Sequence, residues 1–174
     1  MRVRQALINL ALVLLLMAMP ATVAAGSRPV TVTGGGWFLF GDAVPIQFGF
    51  GALVRGDGSV SGSFHQAYEV DGLYVRYWGS LTCLTYDEDN ARAWVGGVLT
   101  KVESNDPEVT QVPGEDAWFR VLDGGLSGDR STLIGFVGIF PSSAEYCLTK
   151  PWPDENARTH PVVSGQINLS VSPT

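Results

Sequence analysis

Ile46-Gln47-Phe48-Gly49-Phe50-Gly51-Ala52-Leu53-Val54 is followed by the turn Arg55-Gly56-Asp57-Gly58 and, after Ser59, by Val60-Ser61-Gly62-Ser63-Phe64-His65-Gln66-Ala67-Tyr68. Ile46, Phe48, Phe50, Ala52 and Val54 recur with a period of two, and Val60, Gly62, Phe64, Gln66 and Tyr68 continue it. That spacing puts one set of residues on one face of an extended chain, so the stretch reads as a β-hairpin. Outward from it the same reading holds. Val30–Phe40 precedes the hairpin and Leu73–Tyr86, rich in Tyr, Trp, Val and Thr, follows it. Ala91–Val102, Asp116–Leu122, Thr132–Phe140 and Pro161–Val171 bring the count to about eight strands. No segment of ten residues has a helical period.

Gly41-Asp42, Gly56-Asp57-Gly58, Asp71-Gly72 and Asp123–Asp129 separate the strands, and such short connections favour antiparallel neighbours. Eight strands with one apolar face either close into a barrel or stack as a sandwich. The barrel is preferred, because closure removes exposed edges and the glycines inside the strands permit tight coiling. Glu103–Gly114 reads as a polar loop and Pro141–His160 as a long return loop.

Arg2 and Arg4 precede the apolar run Ala6–Met19, Pro20 breaks it, and Val23-Ala24-Ala25 offers small residues before Gly26. Residues 1–25 therefore read as a signal peptide and 26–174 as a single β domain. The apolar run is shorter than the roughly 20 residues a membrane-spanning helix needs. Arg2 and Arg4 leave with the signal, so the 11 basic and 17 acidic residues of the full chain become 9 against 17, a net charge of −8. Such a chain has no basic footprint for nucleic acid and no polybasic segment for an anionic membrane. Stable membrane insertion after cleavage is not expected.

Cys83 and Cys147 are the two cysteines. In an exported chain an even count favours a disulfide, with two buried thiols as the alternative. Closing a loop of about 65 residues adds roughly 4 kcal/mol by the chain-entropy model. The bond would staple the long return loop to the fourth strand. Cys83-Leu84-Thr85 and Cys147-Leu148-Thr149, each followed by an acidic Asn-Ala-Arg segment, form an internal echo without matching flanks.

Thr33-Gly34-Gly35-Gly36-Trp37-Phe38, the phenylalanine-glycine strand Ile46–Val54, Gly79–Leu84, Asn90-Ala91 with Val95–Val98, Trp118–Gly125 and Pro161–Ile167 occur in an order that resembles uncharacterised bacterial secreted single-domain β proteins of the post-COAP-like type. The resemblance spans nearly the whole chain after the signal. It departs at Asp87–Asn90, where a longer acidic turn replaces a tight glycine-asparagine turn. It implies export and a β fold, and no catalytic residue.

The residues themselves offer little catalysis. His65 and His160 are the only histidines, and no G-x-S-x-G elbow supports a serine nucleophile. Asp87/Asp89 and Glu115/Asp116 lie beside turns, where aspartate serves the backbone. Asp87–Asn90 and Asp123–Asp129 supply oxygens without EF-hand spacing, so no metal or cofactor is assigned. The most suggestive pattern is aromatic. Arg76-Tyr77-Trp78, Arg92-Ala93-Trp94 and Trp118-Phe119-Arg120 each set an arginine and a tryptophan two residues apart on one strand face, and Tyr74 extends the first. Tyr74, Arg76, Trp78, Trp94, Trp118 and Arg120 are the candidate ligand-binding residues, with cation–π and packing contacts as the structural alternative. Register decides. A two-residue loop at Glu88-Asp89 puts Trp78 and Trp94 on opposite faces, and a three-residue loop puts them together. The expected function is an exported, non-catalytic β-barrel that binds a glycan, a lipid or another small ligand at or outside the cell surface. The alternatives are a small isomerase- or cyclase-type enzyme using the barrel interior and a structural envelope or adhesion module.

Overall fold

The computed structural model describes residues 28–41, 43–125, 128–136, 138–153 and 158–172. The expected signal peptide and its cleavage before Gly26 lie outside them. Six long strands run up and down in sequence: β1 (Val30–Phe40), β2 (Val44–Val54), β3 (Val60–Val70), β4 (Leu73–Asp87), β5 (Arg92–Ser104) and β6 (Asp116–Leu122). Two two-residue strands follow, β7 (Arg130–Ser131) and β8 (Gly135–Phe136), then the helix α1 (Ser143–Thr149) and the return strand β9 (His160–Val171). Each of the first six pairs with the next. β6 then pairs with β7, β7 with β9 and β9 with β1, so eight strands close an antiparallel barrel. β8 is an extra strand on β6.

The alternation seen in the sequence fills the interior. Val30, Val32, Phe48, Phe50, Phe64, Val75, Val95, Phe119 and Ile167 point inward and are buried. Phe119 stands edge-on to Phe50 at 5.2 Å and tilted against Phe64 at 5.7 Å, an arrangement that suits the ring quadrupoles. The void beside these rings measures about 10 Å³, at or below the room one water needs. The barrel is solid.

Two stretches differ from the sequence expectation. Thr132–Phe140 is not one strand, because the chain leaves β6 after Ser131 and rejoins it at Gly135. Its apolar residues face the core and a cleft rather than alternating across a sheet. Gln66, buried and inward-facing on β3, crosses the interior to serve this detour: its amide nitrogen donates to Thr132 O at 3.4 Å and its amide oxygen accepts from Ile134 N at 3.0 Å. The long return loop, second, contains α1. Ser142 is its N-cap, the hydroxyl accepting from Glu145 N. Asp116 accepts from both the backbone N and the hydroxyl of Ser143 and so ties the first turn to β6. Gly96 lets α1 approach, since a Cβ there would stand 2.6 Å from Cys83 Sγ and 2.9 Å from Ser143 Cβ. Cys83 and Cys147 are bonded, with Cα atoms 6.2 Å apart, and staple α1 to β4 as expected. The two halves of the internal echo differ in structure, Cys83–Thr85 being extended and Cys147–Thr149 helical.

Candidate functional site

The turn after Asp87 is a four-residue loop, Glu88 to Ala91, because Asp87 pairs with Arg92. Alone, that loop would put Trp78 and Trp94 on opposite faces. A bulge reverses the outcome: Leu81 pairs with Gly97 and Cys83 with Gly96, leaving Thr82 as the extra residue. Trp78 therefore points out of the barrel, as do Trp94 and, by the β5–β6 register, Trp118 and Arg120. The turn itself is closed by Asp87, whose carboxylate accepts from the backbone and side-chain nitrogens of Asn90 and is held below the usual carboxylate range by those bonds. Among the described residues no His, Cys, Asp or Glu cluster has a metal-binding arrangement.

Although all six candidates face outward, they fall into two groups. Tyr74, Arg76 and Trp78 lie on the open wall. Arg76 sits 5.0 Å from the Tyr74 ring centre, Lys101 sits 4.8 Å from that of Trp78, and both cations reach Glu103. Trp94, Trp118 and Arg120 lie further along, beneath a cap made of α1 and the residues flanking it. Each is at most 5 % exposed although it stands on the outer face.

The cap is held from below. Trp94 Nε1 donates to Pro151 O at 2.9 Å, and Arg120 Nη1 donates to Pro151 O at 3.4 Å and to Trp152 O. A buried guanidinium supplies several donors in a fixed plane, which suits a pair of loop carbonyls. Trp152 takes φ of +55°, unusual for a bulky residue and tolerated here because its carbonyl is anchored. Around it, Trp118 stacks on Tyr146 at 5.7 Å, and Phe140 meets Tyr146 at 5.3 Å and Trp152 at 5.7 Å.

Between cap and wall lies a cleft of about 350 Å³. Trp118, Tyr146, Trp152, Leu133 and Ile134 form its apolar lining, and Phe40 and Ile139 stand exposed there. Arg120, Arg158 and His160 also line it, Arg158 lying 4.4 Å over the Trp152 ring and His160 stacked on Phe38 at 5.3 Å. Of the sequence candidates, only Trp118 and Arg120 reach this cleft, and Trp94 supports it from behind. Tyr146, Trp152, Arg158 and His160 were missed because they sit in the return loop and at the start of β9. The spacing Ser142-x-x-Glu145, a capping-box pattern, was the available signal for the helix that carries Tyr146. No helix among the described residues is long and apolar enough to cross a membrane. No family model, curated protein or solved structure matches the chain.

Proposed function

We propose that this protein is an extracytoplasmic, non-catalytic binding module of the bacterial secreted β type that its segments resemble, and that it holds a small amphipathic ligand in the cleft between barrel wall and cap. The observation that carries the reading is the cleft. Its volume falls in the range of small-molecule sites, and its lining of aromatic rings with a few polar groups has their usual character. The Cys83–Cys147 bond fits an oxidising compartment and supports export.

Against the alternative of an enzyme working inside the barrel weighs the packing around Phe50, Phe64 and Phe119, where the void measures about 10 Å³. On the open wall, Tyr74 and Trp78 already carry Arg76 and Lys101 near their rings, so a stacking sugar would have to displace a cation from each. In the cleft Arg158 covers Trp152 in the same way, and Trp118, Tyr146, Leu133 and Ile134 offer the apolar surface for a lipid chain or small amphipath. The test is calorimetry with acyl-chain acids, aromatic acids and oligosaccharides against two variants. Trp152→Gly removes one wall of the cleft at a backbone angle that glycine accepts, and Trp78→Ala alters the open wall. The reading expects binding that survives Trp78→Ala and is lost in Trp152→Gly. The reverse pattern would move the site to the open wall, and no binding at all would leave a structural module.

A further inference from the structure

We infer that the ligand of this cleft is an amphipathic anion, an apolar body ending in an acid group, received by the Tyr146 hydroxyl and the Trp118 indole N–H with Arg158 beside them. The inference rests on the cleft being the binding site and names what enters it.

Among the described residues, two donors in the cleft have no hydrogen-bond partner. Tyr146 is 2 % exposed and Trp118 is 5 % exposed, both line the cleft, and neither Tyr146 Oη nor Trp118 Nε1 hydrogen-bonds to another group among the described residues. The rings are buried while these two polar atoms open onto the cleft, where an entering acceptor can reach them. A bound acceptor would satisfy both. The two rings stack at 5.7 Å with their planes 23° apart, and both residues line the cleft. Gly135 keeps the indole edge open, since a Cβ there would stand 2.6 Å from Trp118 Nε1.

The sign of the surroundings agrees. The chain carries a net charge of −6, yet Arg120, Arg158 and His160 line the cleft and no Asp or Glu does so among the described residues. Arg120 is committed to the carbonyls of Pro151 and Trp152, and its charge still acts on the cavity: it is the influence that favours the Tyr146 anion against the larger, opposing effect of burial. Arg158 lies exposed over the Trp152 ring. A carboxylate here gains hydrogen bonds and two nearby cations, whereas an ammonium would face both cations. Trp118, Tyr146, Leu133 and Ile134 then take the apolar body.

The experiment is calorimetry of the full-length secreted protein with 2-naphthoate, 2-naphthamide and 2-naphthylmethylammonium, which share one body and differ in charge. The expected order is naphthoate about ten-fold tighter than the amide, with the ammonium weakest, as one charge-assisted hydrogen bond permits. Tyr146→Phe keeps the stacked ring and should weaken naphthoate about five-fold or more at unchanged thermal stability. Arg158→Gln should weaken naphthoate and leave the amide unchanged, a separation that a purely structural role would not produce. Amide or ammonium binding as tightly as naphthoate would overturn the inference while leaving the cleft as an apolar site. Failure of all three compounds to bind would count against the cleft reading as well.

Discussion

Trp94 and Arg120 face each other across the β5–β6 ladder and donate to one and the same oxygen, the carbonyl of Pro151. Two residues that alternation places on the outside of a barrel are thereby sealed beneath a cap. The relationship explains why a large indole and a guanidinium are almost fully buried on the solvent side of a strand. Their donors hold a loop whose backbone would otherwise be unsatisfied. The cap in turn forms one wall of the cleft.

Arg120→Lys tests that anchor. A lysine keeps the charge but lacks the planar fork, so one cap carbonyl loses its partner and stability should fall by about 2 kcal/mol. Urea unfolding would measure it, and tryptophan emission of the folded variant should shift to the red as Trp94 and Trp152 gain water. An unchanged midpoint would mean that the cap is held by its ring contacts alone.

Gln66→Leu addresses the opposite side of the same wall. The substitution removes the partner of Thr132 O and of Ile134 N, two part-buried backbone groups, and each loss should cost about 1 kcal/mol. Amide exchange at Ile134 should accelerate ahead of exchange in β2 and β3. Protection that stays uniform across these residues would show that the detour has another support.

Much of this architecture can be read from residue spacing. Ile46 to Val54 and Val60 to Tyr68 declare their faces by alternation, and the interior they build is the one the structure contains. Cysteine count, together with the expectation of export, predicts the pairing of Cys83 with Cys147, and the structure has that bond. The facing of Trp78 and Trp94 was not legible, because it depends on the bulge at Thr82, and a one-residue slip flips every side chain. Thr132–Phe140 misleads for a different reason. Leu133, Ile134 and Phe136 pack against the core from a segment that is mostly not strand, so their apolar character reports burial rather than extended pairing. The helix at Ser143–Thr149 spans two turns, too short for a period to register.

Replacing Cys83 and Cys147 together with alanine releases α1 from β4. Loss of a native disulfide from a small domain typically costs about 2–5 kcal/mol. Here the cap should loosen before the barrel. The double variant is expected to melt at a lower temperature with far-ultraviolet circular dichroism still dominated by strand at 25 °C. Loss of the strand signal itself would mean that the barrel depends on its staple.

Alkaline pH should weaken the fold through buried phenols. Burial, with smaller contributions from Tyr68 and Asp106, pushes the Tyr77 phenol up to about 12. Burial also raises Tyr68 and Tyr146. A phenol that holds its proton more tightly when folded contributes stability that is fully present below the unfolded value near 10. For Tyr77 that contribution is lost as the pH climbs through about 12. Phenolate absorbance of the native protein should therefore trail that of the urea-unfolded chain, and the two curves should merge once the protein unfolds. Coincident curves from the start would contradict the burial of these rings.

The cleft as a ligand site is tested most directly by the indole N–H resonances. The chain has five tryptophans, and their indole signals separate in a ¹⁵N-labelled spectrum. Titration with 2-naphthoate should move the Trp118 Nε1–H signal saturably and downfield as it gains an acceptor. Trp152 should respond through ring contact, while Trp78 and Trp37 stay in place. Saturable shifts at Trp78 with Trp118 unmoved, or no saturable shift at any indole, would contradict the account.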